Sequence, residues 1–179
     1  VYLTEYAKRG NKLVTIVGIT AETLSGIPSI VYGLFGYLLF VTKLKWSYSM
    51  LAGALTLAIM ILPLIMRTTE EALRSVPDSY REGSFGLGAG KLRTVFTVVL
   101  PSAVPGILAG VILAIGRIAG ETAALIFTAG TVAQIPKNLM GSGRTLAVHL
   151  YALWNEGLAA EQSYATAVVL LIIVVLINM

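Results

Sequence analysis

The sequence predicts an all-α, polytopic transmembrane protein, and three observations carry that reading. Hydrophobic residues make up 56% of the chain and charged ones 12%, against about 25% charged in a soluble domain, and mean hydropathy is +0.83. The apolar residues gather into runs near or beyond the roughly 20 that a spanning helix needs. The polar segments between those runs hold most of the Lys and Arg residues, as juxtamembrane loops do. The net charge of +4 therefore reports topology, and no basic block with interleaved aromatics points to nucleic acid. With no cysteine, disulfides and thiolate metal sites are excluded. The chain opens on Val1 and stops at Met179 inside a last apolar run, so it reads as a fragment, with one membrane domain over residues 1–179.

Residues 1–12, with Lys8, Arg9 and Lys12, read as a short cytoplasmic connection. The apolar stretch 13–41 is too long for one perpendicular span and is interrupted by Glu22, Ser25, Gly26 and Pro28. It divides into an interfacial helix or half-span over 11–25 and a crossing over about 26–42, with Pro28 at the junction because its ring removes a helix hydrogen bond. A single tilted helix kinked at Pro28 is the alternative. Glu22 either belongs to a polar path or marks the interface. Lys43, Lys45, Trp46 and Tyr48 suit the headgroup layer. A second span covers 49–66, with Pro63 in its last turn and Arg67 at its exit. The polar segment 67–100 holds a helical stretch over 69–75, a break at Val76, Pro77 and Asp78, and short helices up to Leu100. Pro101 opens the longest span, to about Gly130, about 45 Å if helical throughout. Residues 131–162 are turn-rich, with a small amphipathic helix over 146–154, and a last span begins near Tyr164. His149 reads as an interfacial residue, since no second His or nearby carboxylate has metal-site spacing.

Two charged residues, Arg117 and Glu121, fall near the middle of the longest span, where each costs about 2.5–3.5 kcal/mol if it meets lipid. On one helix, Gly106, Gly110, Arg117, Gly120, Glu121, Ala124 and Thr128 share a face, while Leu108, Ile112, Ile115 and Ile126 lie opposite. The glycines admit a neighbouring helix, and the four-residue spacing pairs Arg117 with Glu121. Arg117 either lines an anion path, offering its guanidinium to an oxyanion such as phosphate while Glu121 orients it or loosens its hold, or the two form a buried ion pair that fixes packing.

Residues 81–101 are polar and glycine-rich between two apolar runs. Counting from Glu82, the spacing is Glu-Ala-Ala, three residues, Gly, nine residues, Ile, one residue, Leu-Pro. It falls on Glu82, Gly83, Ser84, Gly88, Val98, Leu100 and Pro101, with Gly83, Ser84 and Val98 departing from the letters. This resembles the cytoplasmic signature of ABC importer permeases. The resemblance implies a type I importer-like fold and a coupling loop over 67–100 that docks on a separate ATPase subunit. The interspersed charges Arg67, Glu70, Glu71, Arg74, Asp78, Arg81, Glu82, Lys91 and Arg93 suit such a contact. Segments 1–14 and 67–94 hold eight Lys and Arg residues (Lys8, Arg9, Lys12, Arg67, Arg74, Arg81, Lys91, Arg93), and the opposite loops four (Lys43, Lys45, Lys137, Arg144). The positive-inside rule thus places the signature on the cytoplasmic side independently of the motif. Gly86, Gly88, Gly90 and Lys91 do not make an ATP-binding loop, because Phe85 and Leu92 stand where that pattern needs Gly and Ser or Thr.

Three further stretches, 26–35 (GIPSIVYGLF), 68–77 (TTEEALRSVP) and 116–122 (GRIAGET), together resemble the phosphate-specific ABC importer family. Residues 145–151 (TLAVHLY) favour its PstA-type permease over the sister PstC-type. The resemblance implies a non-enzymatic permease subunit, without cofactor or metal, in the cytoplasmic membrane of a bacterium or archaeon. It also implies about four of an expected six spans here, and a PstC-like second permease, a PstB-like ATPase dimer and a PstS-like phosphate-binding protein as partners. Import of another oxyanion, such as sulfate or molybdate, and a non-conducting assembly or signalling role are the other readings.

Overall fold

A computed structural model describes residues 1–7, 11–157 and 159–179. After a π-helical turn at Tyr2–Tyr6, the described residues form α1 (Lys12–Ser25), α2 (Ser29–Gly36) and a π-helical continuation of α2 over Tyr37–Lys43. Then come α3 (Met50–Arg74), α4 (Asp78–Gly86), α5 (Lys91–Thr94), a π-helical turn Val95–Val99, α6 (Leu100–Ala119), α7 (Ala123–Ile126), α8 (Leu146–Glu156) and α9 (Ala160–Asn178). No strand occurs among the described residues. Among the described residues three helical stretches, Met50–Arg74, Lys91–Ala119 and Ala160–Asn178, are long and apolar enough to cross a membrane, or four spans if the broken pair Lys12–Ser25 and Ser29–Lys43 counts as one. The all-α polytopic architecture is thus observed. Lys8 and Arg9 of the charge count lie outside the described residues.

The chain divides at Pro28 as expected: α1 ends at Ser25, and Pro28, with φ −58° and ψ 142°, is the extended residue before α2, so the alternative of one kinked helix does not hold. Other boundaries differ from the sequence reading. Arg67 is not a helix end, because α3 runs on to Arg74 and places Pro63 in its interior. Its last turns carry the exposed ion pairs Arg67–Glu71 (3.2 Å) and Arg74–Glu70 (2.6 Å), the four-residue pairs that stabilise a solvated helix by about 0.3–0.5 kcal/mol each. The break at Val76 and Pro77 is where the sequence placed it. Pro101 does not open the next span, since continuous helix begins at Lys91. The span does not reach Gly130 either: it ends at Ala119.

The chain resolves into two compact units, one of Val1–Ser25 with Leu62–Ile112, the other of Gly26–Ile61 with Leu113–Met179. In the first, Leu73 and Val99 are fully buried with Val76, Ala72 and Ala103, and Leu100 and Ile107 pack on them. Gly106 and Gly110 of α6 lie directly on Ala72 and Thr68 of α3, so the glycines do admit a close neighbour. Thr68 satisfies its own hydroxyl on the Leu64 carbonyl (3.0 Å).

The second unit is packed through small residues, the means by which helices approach where lipid removes the hydrophobic drive. Gly33 of α2 meets the backbone of Ala123 and Ala124, Gly36 meets Thr56 and Thr128, and Gly53 meets Leu125 and Ala129. The buried hydroxyls of Thr56 and Thr128 donate to carbonyls one turn back, Ala52 and Ala124, both at 2.8 Å. The first amides of α3 have no partner within the helix; those of Met50 and Leu51 donate to the carbonyls of Gly141 and Leu139 (both 2.9 Å), and that of Ser49, just before the helix, donates to Thr128 (3.0 Å). Thr145 caps α8 by accepting from the Val148 amide (3.4 Å), and Gly157, at φ 69°, closes it. Trp154 and Tyr164 meet edge to face at 6.4 Å.

Candidate functional site

The signature residues lie in the first unit. Arg81 and Glu82 are neighbours on α4 that face different ways. Glu82 is exposed, while Arg81 turns inward and is 17% exposed at its side chain. All three guanidinium nitrogens of Arg81 donate: Nη2 to Glu5 Oε1 (2.7 Å) and to the Leu73 carbonyl (3.0 Å), Nε to Glu5 Oε2 (3.3 Å), and Nη1 to the Val76 carbonyl (2.7 Å) and Asp78 Oδ1 (3.3 Å). Two of these acceptors are carbonyls at and just beyond the end of α3, groups that a helix terminus leaves without partners. The hydrogen bonds that Arg81 donates to Glu5 are the main reason that its pKa stands above its ordinary value.

Ser84, which stands where the signature has alanine, shares a 2.8 Å hydrogen bond with the buried hydroxyl of Thr94, tying α4 to α5. Gly88 ends α4. Its φ is 82°, its amide donates to the Phe85 carbonyl (2.9 Å), and the next amide, Ala89, donates to Ser84 (3.1 Å). A left-handed cap of this kind selects glycine, because a Cβ there costs about 1–2 kcal/mol. The spacing of the signature thus has a local cause at Gly88. Further on, Val98 is half-buried, Leu100 packs on the core and Pro101 is exposed in the first turn of α6. Leu87 is held 92% exposed, with Tyr80, Phe85, Leu92 and Phe96 exposed in the same segment.

Gly83 has a helical backbone and nothing within 4 Å of where a Cβ would stand. Gly83→Ala is therefore expected to stabilise α4 by up to about 1 kcal/mol, read as a higher thermal midpoint of the purified full-length complex. An unchanged or lower midpoint would mean that the position is constrained by something other than its own helix.

Arg117 and Glu121 lie in the second unit, and the structure does not pair them. Arg117 is exposed on the last turn of α6, and no carboxylate among the described residues lies within ion-pair distance of it. The helix ends two residues before Glu121, so the four-residue helical spacing no longer applies. Glu121 Oε1 accepts instead from the Ala124 amide (3.2 Å) and starts α7. The single helical face expected from Gly106 to Thr128 is likewise interrupted at 120–122; Ala124 and Thr128 pack toward Gly33 and Gly36 of α2. On the other face the expectation holds for Leu108, Ile112 and Ile115, which are exposed, while Ile126 is half-buried. Sequence reasoning did not find Glu5. A carboxylate just ahead of the Lys8–Lys12 basic run was the available signal, but nothing local ties it to a residue 76 positions away.

The fold is that of a polytopic α-helical membrane protein with a polar helical segment between its spans, and residues 2–179 match the binding-protein-dependent transport system inner membrane component family. The chain belongs to that family. It is 41% identical to the probable ABC transporter permease protein YqgI of Bacillus subtilis (strain 168), over 90% of this chain and 59% of that protein. It is 39% identical to the phosphate transport system permease protein PstA of Yersinia pestis (96% and 58%), and 36% identical to PstA 1 of Mycobacterium tuberculosis H37Rv (100% and 58%). The chain thus spans somewhat under three-fifths of the length of these relatives.

Proposed function

We propose that the chain forms part of the membrane-spanning subunit of an ATP-driven importer of inorganic phosphate, with residues 67–100 as the coupling segment. The observation that carries the reading is α4 with its cap: a short polar helix, closed at Gly88, that holds Glu82 and Leu87 out to solvent beside Phe85 and Leu92. A rim of charge around exposed apolar side chains is the composition of a protein-binding surface, and the relatives named as phosphate transport permeases support the choice of cargo. In this reading Glu82, Gly83, Ser84, Gly88, Val98, Leu100 and Pro101 serve contact with, or the shape presented to, a PstB-like ATPase dimer that hydrolyses ATP. A PstC-like permease completes the path, a PstS-like protein delivers phosphate, and Arg117 and Glu121 belong to the path. The host membrane is the cytoplasmic membrane of a bacterium or archaeon.

The test is uptake of labelled phosphate into proteoliposomes carrying the full-length protein with its permease, ATPase and binding-protein partners. ATP-dependent uptake that excess sulfate or molybdate does not suppress is expected. Suppression by either would assign another oxyanion, and ATP hydrolysis without uptake of any of the three would assign an assembly or signalling role. In the same vesicles Glu82→Lys is expected to lower phosphate taken up per ATP hydrolysed by roughly tenfold, the scale of a lost charge contact; an unchanged ratio would remove the docking role from α4.

A further inference from the structure

Arg81 stands next to the outward-facing Glu82, yet four of its five hydrogen bonds run inward, to Glu5, Leu73 and Val76, and only the one to Asp78 meets an exposed side chain. Its five hydrogen bonds match the five N–H groups of a guanidinium, and they join three separate pieces of chain: the end of α3 through Leu73 and Val76, the start of α4 through Asp78, and the N-terminal turn Tyr2–Tyr6 through Glu5. The Glu5 side chain is 8% exposed, so this two-pronged pair is held mostly away from water, where it is screened far less than the surface pairs of α3. A second tie lies beside it: Lys91 Nζ of α5 sits 5.2 Å over the ring of Tyr6, the neighbour of Glu5. Two different cations from the signature segment therefore hold the same one-turn helix.

We propose that Arg81 is a positioning residue for transport, which passes displacement of α4 to the N-terminal turn through Glu5. A load on the Glu82 face reaches the Arg81 backbone one residue away, and the rigid fork turns it into a pull on the Glu5 carboxylate; a lysine, with one point of charge on a flexible stem, transmits less. The inference rests on the coupling role proposed for α4.

The experiment measures phosphate taken up per ATP hydrolysed by the full-length complex in proteoliposomes, with assembly read by co-purification of the partners. Glu5→Gln and Arg81→Lys are each expected to lower that ratio roughly five- to tenfold in the complexes that assemble, and Glu5→Asp, which keeps the charge, is expected to recover part of it. A purely structural pair would lower assembly while leaving the ratio in surviving complexes at the wild-type value, and that result overturns the proposal. If Glu5→Gln yields no complex, Arg81→Lys decides: a wild-type ratio there also overturns it. Glu82→Lys separates the two levels. Should Glu82→Lys lower the ratio while Glu5→Gln and Arg81→Lys do not, the coupling role of α4 stands and the Arg81 link falls. Should Glu82→Lys leave the ratio unchanged, the coupling role itself falls, and the link with it.

Discussion

Gly33→Leu is expected to leave no recoverable full-length complex, and Gly33→Ala to lower its thermal midpoint by several degrees. A Cβ added at Gly33 would stand 2.8 Å from Ala124 Cα, 3.1 Å from the Ala123 carbonyl oxygen and 3.2 Å from that of Ala124. All three are backbone atoms, which cannot swing aside as a side-chain end can, so α7 must move bodily. Overpacking of this kind costs about 1–3 kcal/mol for small additions, and a leucine adds three further carbons. The displaced elements also hold Thr128, whose carbonyl accepts from the first amide before α3. Gly18→Leu is the matched control, because nothing lies within 4 Å of a Cβ there. Fluorescence-detected size exclusion of detergent extracts checks the pair. Equal recovery of Gly33→Leu and Gly18→Leu would mean that α2 and α7 are not held in contact.

Arg117→Gln is expected to reduce phosphate uptake by roughly 10- to 100-fold, the range set by loss of a hydrogen bond from a charged donor, while assembly persists. The charge at 117 lies in an apolar helix, is exposed, and has no carboxylate partner among the described residues. Tyr32, buried on α2, lies within electrostatic range of it. Removing the charge therefore breaks no intrahelical ion pair, so packing should survive. Arg117→Lys should fall between wild type and Gln, since it keeps charge and loses the planar fork. Uptake assays of the three full-length complexes, normalised to assembled complex, test this. Wild-type uptake in Arg117→Gln would place oxyanion contact elsewhere in the assembly.

What could be read from the sequence, and what could not, follows from the physics of each signal. Hydropathy located the spans because it reports the solvent around a segment. It misplaced the end of α3 for the same reason: a helix need not stop where lipid does, and Arg67–Glu71 and Arg74–Glu70 carry it onward in water. The break at Pro77 was legible because proline restricts the residue before it. The break at 120–122 was written in Gly120, Glu121 and Thr122, but a helical face drawn through them hid it. At the candidate site, spacing alone singled out Gly88 and Glu82, of which the first caps α4 and the second is exposed. The partnership of Arg81 with Glu5 was not legible, because contacts across long separations leave no periodic trace in one sequence.

The start of α3 is completed by carbonyls that the ribosome makes much later. Ser49, Met50 and Leu51 donate to Thr128, Gly141 and Leu139, so roughly 80–90 further residues must emerge first, about 4–18 s at ordinary elongation rates. During that interval this helix end has exposed amides with no acceptor in the chain, which hydrocarbon does not tolerate. It must wait in water, at the insertion machinery or at the headgroup surface. The segment 128–141 then acts as a late clasp, and the order of synthesis fixes the order in which this unit can close.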